Sequence, residues 1–199
     1  TVKVAILATA SLPADARLVL IGDEAAILSI CRRENFDPSV FEIVHTTESI
    51  GMGEHPARAF TQKPQASVVL GFKLLHQGKI DGFASAGNTG AMMVGAMQVI
   101  RSIPGIIRPC IAAMVPRPAG TPLLLLDVGL NPDCSQEELD QYAILGNLYA
   151  RQVMGIEAPR VGLLNIGEEE GKGNLVTKAA HQLMKGSANY DFVGNLEGN

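Results

Sequence analysis

Apolar positions along the chain follow two alternating patterns. Short β-branched or leucine-rich runs predict strands at 17–22, 41–46, 82–86, 109–115, 123–128, 160–166 and 190–194. Longer stretches with apolar residues three and four apart predict helices at 2–10, 24–33, 67–77, 89–103, 137–153 and 175–185. Glycine-bearing turns separate the two kinds of element, which is the pattern of successive βα units on a parallel sheet. The 116–122 connection is too short for a crossover helix, so its flanking strands are expected to pair antiparallel. The expected fold is therefore a three-layer α/β/α arrangement on a mostly parallel, mixed sheet. Residues 51–64 form the one extended irregular segment, read either as a lid or binding loop or as a plain surface excursion.

Composition narrows the class. With 199 residues, 47% of them hydrophobic and 18% charged, the chain can bury one sizeable core and reads as a single soluble α/β domain over 1–199. Its 20 acidic and 16 basic residues are mixed along the sequence, so no polybasic face for nucleic acid is expected. Cys31, Cys110 and Cys134 are odd in number and widely spaced, which fits reduced thiols acting as small hydrophobes. No run approaches the roughly 20 apolar residues of a membrane helix. Residues 1–10 lack the charged start and small-residue cleavage site of a secretory signal. No Met opens the chain, so it reads as beginning inside a longer protein.

Three polar, glycine-bearing segments follow predicted strands, where ligands bind in open α/β sheets. In the first, Ser85-Ala86-Gly87-Asn88-Thr89-Gly90-Ala91, glycines let backbone N–H groups close on an anion at a helix start, and Ser85, Asn88 and Thr89 add side-chain donors. The same residues also read as a tight turn with Asn88 or Thr89 capping the helix. In the second, residues 126–134, Asp127 and Asn131 are placed to orient a ligand, a water or a neighbouring side chain, while Asp133 or Ser135 caps the next helix. The third, residues 165–173, holds Asn165, Glu168, Glu169, Glu170 and Lys172. It reads as a solvated acidic loop or, because it too follows a strand, as part of the same rim, with Lys172 pairing internally with the carboxylates. His45, His55, His76 and His181 show no metal spacing; His55 alone is considered for a site. No dinucleotide-binding glycine fingerprint follows the first strand, which disfavours a nicotinamide enzyme.

These segments together, SAGNTGA at 85–91, LDVGLNPDC at 126–134, LLNIGEEEGKG at 163–173 and NLEGN at 195–199, resemble the PlsX family, the phosphate acyltransferases of bacterial phospholipid synthesis. The resemblance runs through nearly the whole chain. It implies transfer of a long-chain acyl group from acyl carrier protein to inorganic phosphate, giving acyl phosphate, on a phosphotransacetylase-like fold, with no metal or organic cofactor. It further implies a cytoplasmic homodimer, peripheral at the inner face of the membrane, whose product feeds a membrane glycerol-3-phosphate acyltransferase. The Asp-x-Met-Gly-Gly-Asp and Asp-Gly-Phe-x-Gly-Asn segments usual in the family are missing, so the chain reads as a fragment cut at both ends. Lys63-Pro64-Gln65-Ala66-Ser67 replaces a more basic run containing Asp-Ser-Ser, and Leu130 stands where a small residue is usual.

With no activated nucleophile evident, the expected chemistry is direct attack of a bound phosphate oxygen on the thioester carbonyl. Residues Ser85, Gly87, Asn88, Thr89 and Gly90 would hold phosphate or the developing oxyanion. Asn88, Thr89, Asn165, Glu168 and Lys172 are the candidate catalytic groups, supported by Asp127, Asn131 and Glu169. Arg58, Lys63 and Lys73 are candidates for docking the acidic carrier protein. Two other classes stay open: a phosphotransacetylase using acyl-coenzyme A, and a non-catalytic fragment that binds acyl chains or a partner.

Overall fold

The computed structural model describes residues 1–118 and 120–198, and contacts gather in two compact units, Thr1–Ser102 and the remainder from Ile103. Ala119, in the 116–122 connection, and Asn199, last of the NLEGN stretch, lie outside the described residues.

The first unit opens with α1 (Val2–Ala8), β1 (Leu18–Gly22), α2 (Glu24–Arg33) and β2 (Phe41–His45). Strands β1 and β2 pair in parallel, Leu18 opposite Phe41, with α2 as the crossover. The Asp23 carboxylate accepts from the Ala25 and Ala26 amides and starts α2 at the expected residue. His45 Nδ1 accepts from the Glu24 amide at 3.2 Å, which ties the end of β2 to the same helix start. Cys31, fully buried, packs with Ile27 and Phe41 beneath this pair. Then follow α3 (Pro56–Gln62), α4 (Ser67–His76) and α5 (Thr89–Gly95), the last continuing as a π-turn over Ala96–Ile100. Their core is Phe60, Val68, Phe72, Ala59, Ala66 and Ala91.

Three expectations fail in this unit. Residues 51–64, expected to be irregular, contain α3, which Pro56 starts at its first position, where a missing N–H costs nothing. Residues 82–86, expected to be a strand, run without ladder pairing. Their one aromatic, Phe83, sets its ring edge-on to Phe72 at 5.3 Å, so the segment is held by side-chain packing on α4. Gly71 permits that approach, because any Cβ there would enter the Phe83 ring. The predicted helix 89–103 is also shorter, ending where Arg101 takes a φ of 73° and donates its amide to Ala96 O at 2.8 Å.

The second unit contains β3 (Ala112–Val115), β4 (Leu123–Leu126), α6 (Gln136–Gln152), β5 (Arg160–Leu164), α7 (Leu175–Lys185) and β6 (Asp191–Leu196). Strands β3 and β4 pair antiparallel, as the short connection predicts. Strands β5 and β6 pair in parallel with α7 as crossover. Ala143, Leu163, Ala180, Met184 and Tyr190 form the core between them. A capping box starts α6: the Ser135 hydroxyl accepts from the Glu138 amide, and the Glu138 carboxylate accepts from the Ser135 amide. Asn174 caps α7 at its predicted start. The β5–β6 ladder carries a bulge at Gly194 of β6, with a φ of 97°. No helix among the described residues is long and apolar enough to cross a membrane.

Candidate functional site

The glycine-bearing turn before α5 is built around Asn88. Its Oδ1 accepts from the Ala91 amide at 3.2 Å, so Asn88 is the N-cap. Its Nδ2 donates to Gly51 O at 3.0 Å and Met52 O at 3.3 Å. Both amide hydrogens are thereby committed, and the side chain is buried. Asn88 thus ties two loops together: the turn that opens α5 and the 51–52 segment. That second loop is itself fastened. Glu54 Oε1 takes the Gly51 amide at 2.6 Å and Lys63 Nζ at 2.7 Å, while Lys63 also donates to Ser49 O at 2.9 Å. The Lys63 ammonium holds the Glu54 carboxyl below its ordinary value. Of the three cations expected to meet an acidic partner, Lys63 is spent internally, while Arg58 and Lys73 are exposed. His55 is exposed and heads α3 without a capping hydrogen bond.

What the turn leaves open is the row beside Asn88. Ser85 and Thr89 are exposed, and Ser85 Oγ donates to Gly87 O at 2.9 Å. The amides of Thr89 and Gly90 lie in the first helical turn, before any intrahelical acceptor is available. A Cβ at Gly90 would enter the Pro56 ring, so only glycine lets α3 and α5 meet there. The geometry offers the Thr89 hydroxyl and backbone N–H groups to an anion, with Asn88 as the brace beneath them.

In the second unit, the Asp127 carboxylate after β4 is surrounded by donors. Oδ1 accepts from the Ile111 amide at 2.6 Å, and Oδ2 from the Leu130 amide at 3.0 Å and the Asn131 amide at 2.6 Å. Asn131 Nδ2 donates to Pro109 O at 2.8 Å and meets the Tyr142 hydroxyl at 3.0 Å. Asp127 and Asn131 therefore organise their own loop against residues 109–111 and α6. Burial pushes the nearby Cys110 thiol up to about 11, helped by the Asp127 charge, and raises the Tyr142 hydroxyl as well.

The 165–173 segment after β5 is a braced acidic loop. Asn165 Oδ1 accepts from the Ile166 amide at 2.9 Å and its Nδ2 donates to Lys172 O at 3.2 Å, which closes the loop across its base. The Lys172 amide donates to Glu169 O at 3.0 Å, and Lys172 Nζ lies 3.9 Å from Glu169 Oε2. The expected pairing of Lys172 within the loop is present. Glu168 is exposed. Glu170 turns away from Lys172 and meets Lys185 Nζ at 2.6 Å, whose hydrogen bond holds its carboxyl below the ordinary value. A Cβ on Gly173 would collide with Asn165 and Thr177, so the loop can enter α7 only through glycine. An open cavity of about 670 Å³ is lined here by Leu164, Asn165, Ile166, Gly173, Asn174 and Thr177.

Sequence reasoning missed the residues that brace this loop from behind: Lys185, His181 and Asn195. Only Lys185, fifteen positions after Glu170, carried a charge signal, and it did not fall at helical spacing from the acidic run.

The family model described as "Fatty acid synthesis protein" matches residues 1–199. The chain is 43% identical over 181 residues to a phosphate acyltransferase of Dictyoglomus thermophilum, covering 91% of this chain and 54% of that protein. It is 45% identical over 182 residues to one of Acetivibrio thermocellus, covering 92% and 53%, and 44% over 198 residues to one of Gloeobacter violaceus, covering 99% and 57%. The chain thus spans about half the length of the curated relatives it matches. Among solved structures, a phosphotransacetylase from Streptococcus pyogenes aligns with a TM-score of 0.67 at 18% identity, over 97% of this chain and 63% of that one. A phosphotransacetylase from Staphylococcus aureus aligns at 0.60 and 18%, over 91% and 61%. These likenesses show a shared α/β fold.

Proposed function

Because the chain belongs to the fatty acid synthesis protein family, we propose that it is part of an enzyme that moves a fatty acyl group from acyl carrier protein to inorganic phosphate. The observation that carries this reading is the identity, across nearly the whole chain, to proteins named phosphate acyltransferase. The turn at Ser85–Gly90 adds a physical reason, since it presents the Thr89 hydroxyl and first-turn amides where an oxyanion can be held.

In the proposed reaction a phosphate oxygen attacks the thioester carbonyl carbon, the C–S bond breaks, and the carrier leaves as a thiolate that takes up a proton. The products are acyl phosphate and free carrier protein. No covalent enzyme intermediate is needed, so the protein's task is to position phosphate and stabilise charge. Each donor aimed at developing negative charge lowers such a barrier by roughly 3 to 4 kcal/mol. The Thr89 hydroxyl and the Thr89 and Gly90 amides supply donors at the cradle, and Ser85 closes the turn through its bond to Gly87 O. Gly87 lets the turn close, and Asn88 acts by fixing the turn to residues 51–52. Asn165 and Lys172, with Glu168 and Glu169 shaping their loop, form the second group of candidates, and Lys172 adds positive charge for phosphate. Asp127 and Asn131 support the reaction by holding their own loop in shape.

Arg58 and Lys73 are the proposed contacts for the acidic carrier protein. A homodimer working in the cytoplasm at the inner membrane face, handing acyl phosphate to a membrane glycerol-3-phosphate acyltransferase, completes the proposal.

The test is formation of acyl phosphate from acyl carrier protein and labelled phosphate by the full-length protein. Product from the carrier-bound acyl group supports the reading. Product from acyl-coenzyme A alone would move the assignment to a phosphotransacetylase, and absence of product with both donors would refute acyl transfer.

A further inference from the structure

The turn that carries Lys172 is held from behind by a buried pair, His181 and Asn195, which are 3% and 4% exposed. Asn195 is inward because of the Gly194 bulge. Phe192 faces the core and Val193 faces solvent, so unbroken alternation would send residue 195 outward. The bulge sets Val161 opposite Phe192 and Leu163 opposite Asn195, which resets the alternation and turns Asn195 in while Leu196 goes out.

Inside, the amide of Asn195 is fully oriented. Its Nδ2 donates to Glu169 O at 2.8 Å, and its Oδ1 lies 3.0 Å from His181 Nδ1. The carbonyl it engages is the one that the Lys172 amide also uses to close the turn. Since Asn195 Oδ1 can only accept, His181 donates from Nδ1, and the other ring nitrogen faces Glu170 Oε1 at 3.8 Å. Phe192 packs edge-on to the ring at 5.1 Å and fixes its plane. One imidazole therefore stands behind two consecutive loop residues, tied to Glu169 through Asn195 and 3.8 Å from the Glu170 carboxylate.

We propose that His181 is a positioning residue for Lys172: through Asn195 it pins the Glu169–Lys172 turn, and so sets where the lysine charge stands for phosphate. This rests on the reading of residues 165–173 as a phosphate-facing loop. His181 itself touches no reacting atom.

The test uses the full-length protein with His181→Ala, His181→Asn and Asn195→Asp. Asparagine keeps a donor at the Nδ1 position and lacks the far side of the ring, so it preserves the Asn195 bond. Asn195→Asp removes the donor to Glu169 O and keeps the shape, and it stands in if the alanine variant does not fold. Amide exchange over 167–173 is read first, because it needs no activity. His181→Ala and Asn195→Asp are expected to speed it by about ten-fold, with His181→Asn close to wild type. The KM for inorganic phosphate is read second, and the two loosened variants are expected to raise it about ten-fold with kcat changed far less. Unchanged exchange in both loosened variants overturns the pinning. Faster exchange with an unchanged phosphate KM overturns the positioning role and leaves acyl transfer standing, whereas loss of the function reading would show as no acyl phosphate from wild type. Failure of His181→Asn to restore what His181→Ala loses also overturns the proposal.

Discussion

Replacing Asn88 by Ala removes three interactions of different kinds. The cap on α5 is lost with the Ala91 amide, at about 1 kcal/mol. The Gly51 and Met52 carbonyls lose their donor, at about 1 kcal/mol each when no water replaces it in the same geometry. The sum is roughly 2 to 3 kcal/mol. Asn88→Ser separates the parts: serine caps about as well as asparagine but is too short to reach Gly51 and Met52, so it should recover about 1 kcal/mol. Urea unfolding of the full-length protein measures both, read from the midpoint at constant slope. Turnover measured where both variants remain folded should fall for both by up to about 100-fold, because each frees the 51–52 loop from the anion cradle. If Asn88→Ala lies within about 0.5 kcal/mol of wild type, the brace is not stabilising. If turnover is unchanged in a folded variant, the cradle has no part in catalysis.

Asp127→Asn should destabilise by roughly 2 to 3 kcal/mol, since one of two acceptor oxygens becomes a donor facing backbone N–H groups; thermal unfolding reads it. Gly90→Ala should cost about 1 to 3 kcal/mol and reduce turnover, because its methyl enters the Pro56 ring, and Pro56→Ala in the same chain should restore part of the loss. The Glu170 carboxyl is held below its ordinary value of 4.5 by Lys185, so its contribution to stability is complete above that pH and is lost as pH falls through the lowered folded value. Lys185→Ala should flatten that acid limb in a stability-against-pH series. Cys110, with its thiol pushed up to about 11, should resist alkylation at pH 8 in the folded protein and react once it is unfolded.

Local chemistry was legible wherever it acts over a few residues. Asp23 and Asn174 start α2 and α7 at the predicted positions because a cap is decided by residues one to three apart. The antiparallel β3–β4 pair followed from a connection too short for a helix. The three glycine-bearing segments that carried the family resemblance could be found because glycine, asparagine and acidic residues cluster in them, although only the second and third follow a strand.

Only the tertiary structure decided what those residues spend their hydrogen bonds on. Asn88 looks like a free donor until residues 51 and 52, thirty-seven and thirty-six positions earlier, take both its amide hydrogens. Lys63 looks like a docking charge until Glu54 and Ser49 claim it. Residues 82–86 have the composition of a strand, but a strand also needs a neighbour, and Phe83 packs on α4 instead. Asn195 lies inward only because the ladder slips at Gly194, and His181 matters only because Asn195 does. Caps and periods are properties of neighbours in the chain, whereas donors and acceptors are allotted by neighbours in space, and that allotment is what separates a brace from a binding group.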